Sequence, residues 1–262
     1  MVIWGCEDMP NSVDKTMVIL KAVSDGKGEP VSLDKISNAT GINKSTASHI
    51  ISRLCSGGYL VRVSHSLGYA PGPELHILTR YGRYGEKIIT VARPILEYLH
   101  KKTGAVAIFA VIAGDKKYII DRYPENQIYR DKEAHILSDD LYRTVTGRVL
   151  LANITTDKAL EIYRTLGAPQ VGEWKEAMTL DGFLSELAAI RRTVCYYCKT
   201  GDSSSSWHSF ATPIFKGKTC EAALGLAIKV ENADENVNFD TAKHSSLMIK
   251  CRKEIERRLK FS

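Results

Sequence analysis

At 262 residues the chain has material for two modest domains. Its 44% hydrophobic and 25% charged residues exclude a wholly disordered or collagen-like polymer. The net charge of +6 leans only mildly toward polyanionic partners, so its distribution matters more than its total.

The start, Met1 to Asp8, lacks the basic and apolar regions of a signal peptide. The longest apolar run, Ala105 to Ala113, is about half of what a bilayer span needs, so no membrane contact is expected. Six cysteines at no dense spacing suit reduced thiols, and the expected location is the cytoplasm. Ser203 to Ser206 reads as a loop.

In chain order, Val13, Met17, Leu20 and Val23 predict a helix over 12–24, capped by Asn11 or Ser12. Ser32 precedes a short helix over 33–40 with Leu33, Ile36 and Ala39 on one face, and Gly41 ends it. Asn43 can cap a third helix over 44–56, whose Ala47, Ile50, Ile51, Leu54 and Cys55 form a buried stripe. Its opposite face carries Ser45, Ser48, His49 and Ser52, with Lys44 and Arg53 at the ends. Two strands, 59–63 and 69–71, then form a hairpin.

Two short helices across a tight glycine turn, followed by a hairpin, describe a winged helix-turn-helix. Short hydroxyl side chains let a helix approach the major groove closely, and His49 and Arg53 add donors for phosphates or base edges. The expected DNA contacts are Ser32, Lys44, Ser45, Thr46, Ser48, His49, Ser52, Arg53, Arg62 and His65. Charge agrees: Lys35, Lys44, Arg53, Arg62, Arg80 and Arg83 stand against Glu74 alone, and the remainder of the chain is nearly neutral as a total. A domain over 11–72 would then read double-stranded DNA.

Pro71, Gly72 and Pro73 mark a hinge, and 73–84 is expected to connect to a second domain over 85–262. A helix over 86–103 contains Pro94, which predicts a kink or break near Arg93. Strands are expected at 105–113, 117–123, 194–198, 207–215 and 221–230, and helices at 144–153, 157–166, 180–193 and 240–260. In the last helix Leu247, Cys251, Ile255 and Leu259 should face inward. This order argues an α+β arrangement rather than a doubly wound sheet.

Enzyme signatures are missing: there is no GxSxG, HExxH, GxxxxGK[ST] or GxGxxG, and the seven histidines are scattered, with Glu133 near His135 as a close carboxylate in sequence. The chain is therefore read as no enzyme, with no cofactor. A winged helix that binds protein instead of DNA is the competing class. Cys195 and Cys198, with His208 and Cys220, suit a tetrahedral zinc or redox site, which stands as an alternative means of response.

Several stretches, taken in order, resemble the IclR family of transcriptional regulators. They are Val18 to Ala22, Leu33 to Leu54, Gly58 to Leu60, Thr146 to Ala152, Leu187 to Arg191, and Phe210 to Phe215. The resemblance implies a repressor acting as a homodimer or homotetramer on a palindromic operator. It also implies a C-terminal GAF/PAS-like α/β domain that binds a small organic effector. In the family's carboxylate-binding members, backbone N–H groups matching Val145, Thr146 and Gly147 hold the acid. The family's other polar positions match Ser209, Gly225, Ala227 and a place near Cys198 or Lys199. Small residues at Gly225 and Ala227 predict space for a larger or less polar ligand, and a degenerate, unused pocket is the other reading.

Overall fold

The computed structural model describes residues 11–26, 28–64, 66–80, 86–124, 140–201, 205–231 and 240–261. The chain divides into two compact units between residues 86 and 87.

The first unit holds helices α1 (Ser12–Ser24), α2 (Leu33–Thr40) and α3 (Lys44–Ser56). Local capping explains their limits. Asn11 accepts from the Val13 and Asp14 N–H groups at 2.9 and 3.0 Å, and Asn43 accepts from Thr46 N–H at 2.8 Å. Ser32 caps α2, and Gly41 closes it in the left-handed conformation at φ 70°. Ile19, Val23, Ile36, Ala47, Ile51 and Leu54 are buried together at the centre of the three helices. Ala39, expected on the inner face of α2, is exposed instead.

Strands β1 (Leu60–Ser64) and β2 (Gly68–Pro71) pair antiparallel. Val31 adds a single bridge to Tyr69, and a Cβ at Gly68 would collide with the Val31 carbonyl, so glycine is needed there. Helix α4 (Pro73–Arg80) is tied to the wing by Gly72 N–H donating to Tyr59 O at 2.8 Å and Glu74 N–H to Gly58 O at 3.1 Å.

The second unit opens with α5 (Glu86–Thr103), which runs unbroken through Pro94. The kink or break expected at Arg93 does not end the helix. Its buried stripe, Val91, Ala92, Ile95, Leu96 and Leu99, holds the helix on both sides of the proline. Strands β3 (Val106–Ala113), β4 (Lys116–Tyr123), β5 (Tyr196–Gly201), β6 (Ser205–Lys216) and β7 (Thr219–Glu231) form one antiparallel sheet in the order β4-β3-β7-β6-β5. Ser205 and Ser206 begin β6 instead of lying in a loop, because Ser206 pairs with both Gly201 and Val230.

Between β4 and β5 come α6 (Val145–Asn153), α7 (Thr156–Leu166), a 3-10 turn (Lys175–Ala177) absent from the sequence reading, and α8 (Leu180–Arg191). Val149, Leu150, Phe183 and Leu187 of α6 and α8 pack on Ala110, Ala211 and Ala223 of the sheet. Alternation along a strand sends neighbouring side chains to the other face. There α9 (Thr241–Phe261) lies, with His244 stacked on Phe210 and Glu256 accepting from Phe215 N–H at 2.9 Å. Its inward residues are Met248, Cys251, Ile255 and Leu259; Leu247 is only half-buried.

Candidate functional site

Two places carry chemistry, one in each unit. On α3, Ala47, Ile51 and Leu54 are buried, which turns Lys44, Ser45, Ser48, His49, Ser52 and Arg53 outward as one exposed face. Thr46 is half-buried, and its N–H is used by the Asn43 cap. Lys44 Nζ lies 2.9 Å from Asp34 on α2, an exposed pair of small energetic weight that ties the start of α3 to α2. Ser32 is a half-buried cap whose Oγ accepts from Lys35 N–H at 3.3 Å. Arg62 stands on β1 with its guanidinium 5.8 Å from the Tyr69 ring centroid. His65, Arg83, Glu133 and His135 lie outside the described residues.

In the second unit the strand register lines up Cys198, Ser209, Ala227 and Val106 as one row across β5, β6, β7 and β3. Lys199 belongs to the opposite face. The row beside it runs Tyr196, Ala211, Gly225 and Ile108. Helix α6 covers that second row. Its first turn, Val145, Thr146 and Gly147, is buried, and Thr144 caps it by accepting from Gly147 N–H at 3.1 Å.

The space expected at Gly225 is taken. A Cβ there would stand 2.5 Å from Thr146 Cγ2 and 2.9 Å from Ile108 Cγ1, so the glycine admits α6, not a ligand. Ala227 packs with Val106, Ile108, Trp207 and Ile119 in a small apolar cluster separate from the main core.

Two cations complete this region. Lys117, only 1% exposed, points its Nζ at Thr144 Oγ1 (3.0 Å) and Thr146 Oγ1 (3.4 Å), at the start of α6. Sequence reading missed it, although alternation from Ile119 places it on the inner face of β4. Arg148 donates to Tyr142 O at 2.7 Å, Glu173 O at 2.5 Å and Tyr196 Oη at 3.3 Å. Its guanidinium lies 4.8 Å from the Trp174 ring centroid, and Cys198 Sγ is 4.0 Å from Nη1.

The cysteine constellation does not assemble. Cys198 is paired with Ser209 and faces α6, whereas His208 is paired with Lys199 and faces the other way. Both His208 ring nitrogens are engaged, by Tyr197 Oη at 2.9 Å and Ser206 Oγ at 3.2 Å. Burial, then the charges of Lys199 and His244, push its pKa down. Burial pushes the Cys195 and Cys220 thiols up to about 11, away from the thiolate that metal binding or redox sensing needs. Among the described residues no group of three or more His, Cys, Asp or Glu side chains is placed to hold a metal ion. Nor, among them, is any helix long and apolar enough to cross a membrane.

Comparison with known proteins gives these features a common context. The IclR helix-turn-helix domain matches residues 12–64, and the bacterial transcriptional regulator IclR C-terminal domain matches residues 84–256. No curated protein matches the chain. Among solved structures, an IclR homolog from Microbacterium hydrocarbonoxydans complexed with 4-hydroxybenzoate is similar at TM-score 0.68 and 16% identity, covering 94% of this chain and 100% of its own. The IclR of Thermotoga maritima is similar at TM-score 0.61 and 20% identity, covering 95% and 98%. An IclR transcriptional regulator from Alicyclobacillus acidocaldarius is similar at TM-score 0.65 and 15% identity, covering 94% and 97%. These likenesses extend over both units and share their fold, and the two domain matches lie in family order over most of the sequence: the chain belongs to the IclR family of transcriptional regulators.

Proposed function

We propose that the protein is a repressor whose affinity for a palindromic operator is set by a small organic acid bound in its second unit. Residues 11–72 act as the DNA reader, 73–84 as the connector and 85–262 as the effector domain. The exposed face of α3, from Lys44 to Arg53, enters the major groove, with Ser32, Arg62 and His65 as flanking contacts. One α3 reads one half-site, so a homodimer, or a tetramer built from dimers, matches an operator with two-fold symmetry. The protein works in the cytoplasm and carries out no reaction of its own.

The observation that carries the effector reading is Lys117. A buried ammonium, two threonine hydroxyls and the first turn of α6 meet at one point. The N–H groups of a helix start and a cation both favour a negative charge. Beside them the cluster of Val106, Ile108, Ala227 and Trp207 offers apolar and aromatic contact. Ser209 and Cys198 extend the same row. This chemistry fits a carboxylate on an apolar or aromatic body. The Microbacterium hydrocarbonoxydans homolog, complexed with 4-hydroxybenzoate, provides a first probe of that class.

Titrating the protein with benzoate, 4-hydroxybenzoate and the neutral 4-hydroxybenzamide, with tryptophan fluorescence and operator affinity as readouts, tests the proposal. The acids should bind and shift operator affinity, and the amide should not. Lys117→Met should weaken acid binding by about 10- to 100-fold, the range of one charge-assisted hydrogen bond. Equal binding of acid and amide would overturn the anionic site. Operator affinity indifferent to every probe would favour an effector-independent regulator.

A further inference from the structure

The exposed face of α9 is a row of cations. Among the described side chains of this helix, five of the seven exposed are Lys243, Lys250, Lys253, Arg257 and Lys260, and none is acidic. The last four follow steps of three, four and three residues, which places them on one ridge about 15 Å long.

Of the two carboxylates of the helix, Glu254 is shared between Arg257 of the ridge and Arg258, and Glu256 turns away from the ridge. Glu254 is held by Arg257 and Arg258 at 2.7–2.9 Å, which draws its pKa down to about 2. Glu256 turns inward to Arg252 Nε at 3.0 Å and Phe215 N–H at 2.9 Å. Lys250, Lys253 and Lys260 have no ion pair or side-chain hydrogen bond among the described residues. Seven basic residues against two acidic ones give α9 an excess as large as that of residues 35–83. The near-neutral total outside residues 35–83 therefore hides a strongly positive helix balanced by acids elsewhere.

We propose that this ridge binds the phosphate backbone of duplex DNA, as a second contact blind to sequence, in addition to α3. Three of the four cations are lysines, compact charges on flexible stems that meet phosphates without a fixed register. A protein partner would be anchored by exposed apolar or aromatic side chains, and the other exposed positions of the helix offer only Ala242 and Ser246. An anionic membrane would need the apolar face of the helix, which is already buried with Met248, Cys251, Ile255 and Leu259 inward. The helix-turn-helix domain makes duplex DNA the polyanion that this chain meets, and the proposal rests on that reading.

The test uses the full chain with Lys250→Gln, Lys253→Gln and Lys260→Gln combined, and the same three positions changed to Arg as the charge-preserving control. DNA affinity is measured on a long duplex of arbitrary sequence from about 50 to 200 mM salt. Each lost phosphate contact removes about 0.9 from the slope of log affinity against log salt, so the glutamine variant should lose roughly 2 to 3 and the arginine control nothing. The ratio of operator to arbitrary-sequence affinity should change little, because the contact carries no base information. Equal slopes for the glutamine variant and the parent would overturn the proposal. Equal slopes together with a change of oligomeric state in sedimentation would assign the ridge to contact between copies of the chain instead.

Discussion

Arg148→Met is expected to destabilise the second unit by about 4 kcal/mol. Arg148 is only 7% exposed. It joins four segments by donating to Tyr142 O, Glu173 O and Tyr196 Oη from α6. It also lies over the Trp174 ring. Methionine fills much of the volume but leaves the buried Tyr142 carbonyl and the part-buried Glu173 carbonyl without this donor, at up to about 1–3 kcal/mol each. Loss of a desolvated cation–π contact adds about 2 kcal/mol, overlapping in part with the first cost. Arg148→Lys keeps the charge but not the planar fork, and should recover less than half of the loss.

Urea unfolding followed by tryptophan fluorescence reads the effect directly, since Trp174 and Trp207 both lie in this unit. A cost below about 1 kcal/mol would mean that Arg148 is dispensable to the fold. The consequence for function follows from position. Arg148 sits one residue beyond the first turn of α6 and holds the Tyr142 carbonyl just before the Thr144 cap. A folded Arg148→Lys protein should therefore respond less to the acid probes than the parent.

The second large effect concerns DNA. Ser48→Ala combined with Arg53→Ala should weaken operator binding by about 3 kcal/mol, roughly 150-fold, with no change in the circular dichroism of the helices. Arginine to a base edge is worth about 1–3 kcal/mol, and a hydroxyl to phosphate or base contributes about another 1 kcal/mol. Both residues are exposed on α3, and the unit's core is built from the other face, so the fold has no stake in them. Affinity unchanged by the pair would remove α3 from the interface.

The first unit was legible in the sequence because its limits are set within a few residues. The helices end where Asn11, Ser32, Asn43 and Gly41 supply or accept short-range hydrogen bonds, and their observed spans match the expected ones. The second unit was legible in its elements but not in its contacts. Pairing of β3 with β7 joins residues more than a hundred positions apart, and only that register places Gly225 under Thr146. The missing side chain at Gly225 therefore suggested room for a ligand where a helix fits. Cys195, Cys198, His208 and Cys220 looked like one site for the same reason, until the β5–β6 register set Cys198 and His208 on opposite faces.

Lys117 shows a different limit. Its position in the alternation was readable, but a lysine is seldom placed inside a fold without knowledge of what it meets, here Thr144 and Thr146 some thirty residues later. The cationic ridge of α9 was likewise hidden by summing charge over everything outside residues 35–83 instead of along one helical face.

Selection of duplexes from a random-sequence library, followed by titration of the winning duplex and a scrambled copy at about 0.15 M salt, tests the central claim most directly. A sequence reader that uses the outer face of α3 should bind the selected duplex at least about a thousand times more tightly than the scrambled one, with a two-fold symmetric consensus. That preference should shrink in the Ser48→Ala, Arg53→Ala protein. Equal affinity for selected and scrambled duplexes would contradict the assignment of this chain as a sequence-specific regulator.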